Sequence, residues 1–71
     1  MISIEKLGSR IADRRKAVGL TQTQIAERMG VTPQAVSKWE RGLAFPDLAY
    51  LDDLAKLLNV SMDTLLLGVP A

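Results

Sequence analysis

Neither cysteine nor histidine occurs in this sequence. Without thiols the chain cannot form a disulfide or a thiolate nucleophile, and without imidazoles it lacks the most common general acid–base catalyst. The same two absences remove the side chains that hold most zinc ions in proteins. No set of nucleophile and acid–base residues is recognisable either, so we expect no enzymatic activity and neither a metal nor another cofactor.

Apolar runs are short, such as the three leucines at residues 65–67. A membrane-spanning helix needs about 20 consecutive apolar residues, and the N-terminus shows no apolar signal-peptide core. A soluble, cytoplasmic protein is therefore expected. The 71 residues, 48% of them hydrophobic, predict one domain over residues 1–71, near the lower size limit for a core without disulfides.

The most specific pattern in the chain lies in residues 21–42. Thr21 and Gln24 predict a capping box at the start of a helix, and Gly30 fits a left-handed stop at its end. Thr32 can cap a second helix that begins at Pro33, where a missing N–H group costs nothing. Two short helices joined by so tight a turn predict a helix-turn-helix.

Apolar residues place both of these helices against one core. Ile25, Ala26 and Met29 form a stripe on the first helix, and Val36 and Trp39 form one on the second. This leaves an outer face on the second helix for four polar residues: Gln34, Ser37, Lys38 and Arg41. A helix presented in this way most often enters the major groove of DNA, and the alternative is an ordinary helical hairpin.

Charge is distributed unevenly along the chain. The net charge is only +1, but residues 1–42 carry +4 and residues 43–71 carry −3. The basic half contains the predicted helix-turn-helix, as a DNA-facing surface requires, although an asymmetry of this size also arises by chance in small domains.

Helical patterns also account for the remaining segments. A first helix is predicted over residues 3–18, a fourth begins with Asp47 as its cap and ends at Asn59, and a fifth is capped by Ser61. Phe45, in the loop before the fourth helix, is assigned to the core. The predicted fold is all-α, with five short helices around one core. The apolar positions assigned to the first, fourth and fifth helices are Ile4, Leu7, Ile11 and Val18; Leu48, Leu51, Leu54, Ala55 and Leu58; and Met62, Leu65 and Leu66.

With its helices in this order, the chain resembles the DNA-binding domain of the Cro/phage-repressor family, also called the XRE-type or lambda-repressor-like helix-turn-helix. The resemblance covers residues 4–67, and its most specific pieces are LTQTQIAERMGV, SKWERG, FPDL and LAKLLNVSMDTLL. It implies a bacterial or phage transcription regulator, expected to act as a repressor, that binds a palindromic operator as a homodimer with its third helix in the major groove.

The resemblance also implies roles for individual residues. The residues expected to contact bases are Pro33, Gln34, Ser37 and Lys38. Glutamine can bond adenine, lysine can bond guanine, and Pro33 offers only apolar contact. Phosphate contacts fall to Gln22, Thr32 and Arg41. The loop at residues 43–45 lacks the basic residue that many relatives place on the DNA backbone, so Arg41 and backbone N–H groups are expected to take that part.

Further residues are assigned structural roles. In the family, an arginine near the end of helix one pairs with the glutamate that ends helix three, which implies an ion pair between Arg15 and Glu40. Arg10, Arg14 and Lys16 are assigned to a solvated helix face, and the alternative is that they add long-range attraction to phosphates. The dimer interface is expected at four apolar residues near the C-terminus, which could instead cap the monomer core: Leu65, Leu66, Leu67 and Val69.

Two other functions remain open from the sequence. The same fold can serve as an antitoxin or another protein-interaction module, with a toxin as a possible partner. It can also form the DNA-binding head of a larger regulator.

Overall fold

The five predicted helices are all present in the computed structural model, which describes residues 2–70. They are α1 (Ile4–Ala17), α2 (Gln22–Met29), α3 (Pro33–Glu40), α4 (Leu48–Leu58) and α5 (Met62–Leu67). Residues 2–70 contain no strand. The predicted all-α, five-helix architecture is therefore confirmed.

Side-chain caps define where each helix begins. The side-chain oxygen of the capping residue accepts a hydrogen bond from the backbone N–H three residues later at Ser3, Thr21, Thr32, Asp47 and Ser61. The predicted left-handed end of α4 is also confirmed, because Asn59 has a φ of 56°. Such caps satisfy backbone groups that a helix leaves unpaired at its ends, so the sequence sets the helix boundaries locally.

Buried apolar side chains from all five helices meet in one core. α1 packs against α3, α4 and α5, while α2 packs against α3 and α4. The predicted core stripes of α2 and α3 are confirmed at Ile25, Ala26, Val36 and Trp39. The remaining buried hydrophobic residues come from α1, α4 and α5: Leu7, Ile11, Leu51, Leu54, Ala55, Leu58 and Leu65.

Two residues assigned to the core are exposed. Phe45 is 47% exposed and Leu48 is 72% exposed, while Pro46 between them is fully buried. Phe45 lies in a loop without helical periodicity, where residue type alone does not decide direction. Leu48 shares the apolar stripe of Leu51, but it is the first residue of α4 and lies outside the part of the stripe that the core covers.

Gly8 allows α1 to lie directly against the C-terminal end of α3. Gly8 is buried, and a Cβ atom at this position would lie 2.6 Å from the carbonyl oxygen of Glu40 and still closer to that of Trp39. Real Cβ atoms do not approach backbone oxygens so closely. The close approach of these two helices therefore depends on the absence of a side chain at Gly8.

Within residues 2–70, no helix has the length and apolarity needed to cross a membrane.

Candidate nucleic-acid interface

The helix-turn-helix has the local geometry that the sequence predicts. Thr21 and Gln24 form both hydrogen bonds of the capping box, at 3.0 and 2.8 Å. α2 ends at Met29 and is followed by Gly30, whose φ of 69° is left-handed, and Val31 N–H donates to the Ala26 carbonyl at 3.0 Å. Buried Ile25 and the rest of the shared core then fix α3 against α2.

The side of α3 away from the core presents the residues assigned to bases. Pro33, Gln34 and Lys38 are exposed, and Ser37 is half-buried. Residues three and four apart lie on the same side of a helix, so these positions form one continuous surface along α3. The phosphate candidates Thr32 and Arg41 are exposed at the two ends of this surface.

Arg41 folds back along α3. Its Nε donates to the Ser37 hydroxyl at 3.1 Å and more weakly to the Ser37 carbonyl at 3.3 Å. The Ser37 hydroxyl therefore accepts from Arg41 and still has its own hydrogen to donate. The sequence did not indicate this bond, which brings a base candidate and a phosphate candidate into contact.

Arg15 and Glu40 form an ion pair that joins the end of α1 to the end of α3. Arg15 Nε donates to Glu40 Oε2 at 2.6 Å, and Arg15 Nη2 donates to Oε1 at 3.0 Å. The two side chains are only 13% and 7% exposed. The hydrogen bond to Glu40 raises the pKa of Arg15 above its ordinary value, against the opposing effect of burial. Arg15 Nη1 also donates to the Leu20 carbonyl at 2.9 Å.

Gln22 joins this ion pair. Its Nε2 donates to Glu40 Oε1 at 2.9 Å, so one carboxylate receives hydrogen bonds from both α1 and α2. The family resemblance implies a DNA phosphate contact for Gln22, and nothing in the sequence indicated its bond to Glu40. Gln22 is the first residue of α2 and is partly exposed.

Two arginines assigned to a solvated face instead cap other helices. Arg14 Nη2 donates to the Leu58 carbonyl at 3.0 Å, and Arg10 Nη1 donates to the Leu66 carbonyl at 3.1 Å. These carbonyls lie at the C-terminal ends of α4 and α5, which carry partial negative charge. Two of the basic residues in the positive half of the chain therefore stabilise the fold, and Lys16 remains exposed as predicted.

The predicted dimer residues differ in exposure. Leu65 is fully buried in the core, so its assignment to a dimer interface is wrong. Leu66 is half-buried against the core, whereas Leu67 and Val69 are exposed. The physical reason is helical geometry, because consecutive residues point about 100° apart and three adjacent leucines cannot face the same way.

Comparison with known proteins agrees with this geometry. The family model described as "Helix-turn-helix" matches residues 11–65. The chain belongs to the XRE-type helix-turn-helix family. Family membership confirms the resemblance that the sequence motifs indicated.

Individual relatives in this family include a bacterial prophage protein. The chain is 41% identical over 64 residues to the SPbeta prophage-derived uncharacterized HTH-type transcriptional regulator YonR of Bacillus subtilis, covering 90% of this chain and 59% of the relative. Across several curated relatives, the chain spans between 31% and 59% of their length.

Two solved structures show where else this arrangement of helices occurs. The P22 c2 repressor protein in complex with a synthetic operator matches with a TM-score of 0.84 and 38% identity, over 89% of this chain and 96% of that chain. Hydroxypropylphosphonic acid epoxidase from S. wedmorenis matches with a TM-score of 0.82 and 27% identity, over 92% of this chain but only 35% of the epoxidase. The same fold thus also occurs as a minor part of an enzyme chain.

Proposed function

We propose that this chain is a sequence-specific DNA-binding transcription regulator, a repressor that binds a palindromic operator as a homodimer. The observation that carries the proposal is the exposed polar surface of α3, held at a fixed angle on α2 by a shared core. The match to a repressor in complex with operator DNA supports it. Selecting bound sequences from a random duplex pool tests the proposal, and failure to enrich any sequence would contradict it.

In this function α3 lies in the major groove. Gln34 can bond adenine through two atoms and Lys38 can bond guanine O6 and N7. Ser37 donates its hydroxyl hydrogen to a base acceptor, and Pro33 contacts a thymine methyl group. The exposure of Pro33, Gln34 and Lys38 supports these roles, and Ser37 is half-buried between them.

Phosphates are held at the edges of this surface. Gln22 lies at the N-terminus of α2, where unpaired backbone N–H groups and the helix dipole attract an anion. Thr32 can donate its hydroxyl hydrogen, since its oxygen already accepts from Ala35 N–H. Arg41 supplies the positive charge at the end of α3.

Lys38→Ala and Gln22→Ala are expected to affect DNA binding differently. Loss of Lys38 should cost about 1–3 kcal/mol on the selected operator and relax the preference at one base pair. Loss of Gln22 should weaken binding to operator DNA and to scrambled DNA by the same factor, because a phosphate carries no base identity. Affinities on operator and scrambled duplexes measure both effects.

A salt series adds a second comparison for these variants. Gln22 is uncharged, so its loss should leave the salt dependence nearly unchanged, whereas loss of Lys38 should lower the slope by up to ~0.9 per site. Lys56→Ala is the matched control, because it removes an exposed lysine from α4 and should not change operator affinity. If Lys38→Ala lost affinity equally on both DNAs, Lys38 would contact the backbone and the proposed reading of guanine would be wrong.

The proposed homodimer uses the exposed apolar residues that follow the buried Leu65. Leu67 and Val69 are accessible, with Leu66 partly so. A two-fold dimer of helix-turn-helix domains places its recognition helices about 34–36 Å apart, one turn of DNA.

Footprinting should therefore reveal two related half-sites one turn apart. Leu67→Glu should replace joint occupancy of the half-sites with weaker occupancy of each, because a carboxylate opposes burial of the apolar surface. Leu48→Glu is the control, since Leu48 is also exposed, 72% against 55% for Leu67, but lies at the start of α4. A single asymmetric half-site, or equal effects of the two variants, would contradict this dimer.

A role within a larger assembly is the second candidate function. Leu43, Phe45 and Leu48 are exposed apolar side chains between the end of α3 and the start of α4, which suits a protein partner such as a toxin. The partial coverage of the relatives also suits the DNA-binding head of a larger regulator. An adjacent toxin gene would favour the first of these, and a longer reading frame would favour the second.

A further inference from the structure

We infer that Glu40 is a positioning residue, which orients the Gln22 amide so that the phosphate contact at α2 and the recognition helix α3 are held together. The inference rests on the proposed DNA-binding function and extends it to a residue with no DNA contact of its own. Its basis is the sharing of one carboxylate by two different helices.

The Glu40 carboxylate determines which way the Gln22 amide points. Glu40 Oε1 accepts from Gln22 Nε2 at 2.9 Å and from Arg15 Nη2 at 3.0 Å, while Oε2 accepts from Arg15 Nε at 2.6 Å. An ionised carboxylate can only accept, so the amide must turn its nitrogen toward Glu40. One of the two N–H groups of Gln22 is then occupied, and the other stays free for a phosphate.

Arg15 allows a carboxylate to lie next to a phosphate-binding position. An unpaired carboxylate near the start of α2 would repel the DNA backbone, but the arginine neutralises it through two hydrogen bonds. The Glu40 side chain is only 7% exposed, so water competes little for these bonds. Because Gln22 begins α2 and Glu40 ends α3, the bond between them links the start of α2 to the end of α3.

An NMR titration of the wild-type protein with the selected operator tests this orientation. The two side-chain amide protons of Gln22 should respond differently, with one shifting on DNA binding and the other, bonded to Glu40, keeping its shift and exchanging slowly. The exposed side-chain amide of Gln24, whose oxygen accepts from Thr21 N–H, serves as the control with two rapidly exchanging protons. Equal shifts and equal exchange of both Gln22 protons would overturn the inference.

A double-mutant cycle on DNA affinity tests the coupling. Gln22→Ala and Glu40→Gln should each weaken operator binding by about 3- to 10-fold, the size expected for one hydrogen bond. The double variant should bind within about 2-fold of Gln22→Ala, because without the Gln22 amide Glu40 has nothing to orient. Fold changes that multiply in the double variant would overturn the inference and assign Glu40 a purely structural role.

Circular dichroism at the assay temperature establishes that each variant in the cycle is folded. If Glu40→Gln does not fold, the wild-type titration alone decides the inference. If the wild-type protein binds no duplex, both the proposed function and this inference are wrong. If the wild-type protein binds the operator but the effects of the Gln22 and Glu40 substitutions are independent, the inference alone is wrong.

Discussion

Glu40→Ala is expected to lower the free energy of unfolding by about 3–5 kcal/mol, because it leaves the Arg15 guanidinium buried without its partner. A domain of this size is stable by only about 4–11 kcal/mol, so the change would leave a marginal fold or none. Gln22 would lose its acceptor in the same substitution. Chemical denaturation, followed by circular dichroism, measures the loss.

Two further variants show whether the expected loss of stability arises from the burial of the Arg15–Glu40 pair. Asp52→Ala removes the carboxylate from the exposed pair with Lys56 and should produce no measurable change. Arg15→Met combined with Glu40→Leu should recover much of the stability lost in Glu40→Ala, because apolar residues of similar size avoid an unpaired buried charge. A loss below about 1 kcal/mol in Glu40→Ala would mean that the pair contributes as little as a surface pair does.

Gly8→Ala is expected to destabilise the protein by about 3 kcal/mol, at the upper end of the range for overpacked sites. The new methyl group would meet the backbone oxygens of Trp39 and Glu40, which cannot rotate away as a flexible side chain could. α1 and α3 would have to separate, and this outweighs the gain of about 1 kcal/mol that alanine normally brings to a helix. Thermal unfolding should show a lower midpoint.

Ser9→Ala is the matched control for Gly8→Ala. Ser9 is the next residue of α1 and is exposed, so an alanine at this position should leave the free energy of unfolding unchanged or slightly raise it. If Gly8→Ala were as stable as Ser9→Ala, the helices could accommodate a methyl group and their spacing would not depend on glycine.

Local rules predict the elements of this protein well, as its helix ends illustrate. Thr21, Thr32 and Asp47 each cap a helix where the sequence places the cap, and Gly30 and Asn59 adopt the predicted left-handed conformation. These signals involve residues at most four apart. The outer face of α3 was predictable for the same reason, since its periodicity follows from the helix alone.

The pairing of Arg15 with Glu40 was predictable in a different way. Its residues are 25 apart, and no periodicity connects them. Only the resemblance to a known family indicated the contact. The structure then supplied its burial and the third member, Gln22, which no local pattern indicated.

Residues 21–42, read alone, determine a helix-turn-helix with a polar outer face, because caps, turns and apolar spacing act over one or two helical turns. Tertiary packing decides the rest: it buries Leu65, exposes Phe45, and places the guanidinium of Arg10 on a carbonyl 56 residues away. It also brings α1 against α3 at Gly8. Such contacts depend on how helices meet in space, and a one-dimensional pattern does not encode that.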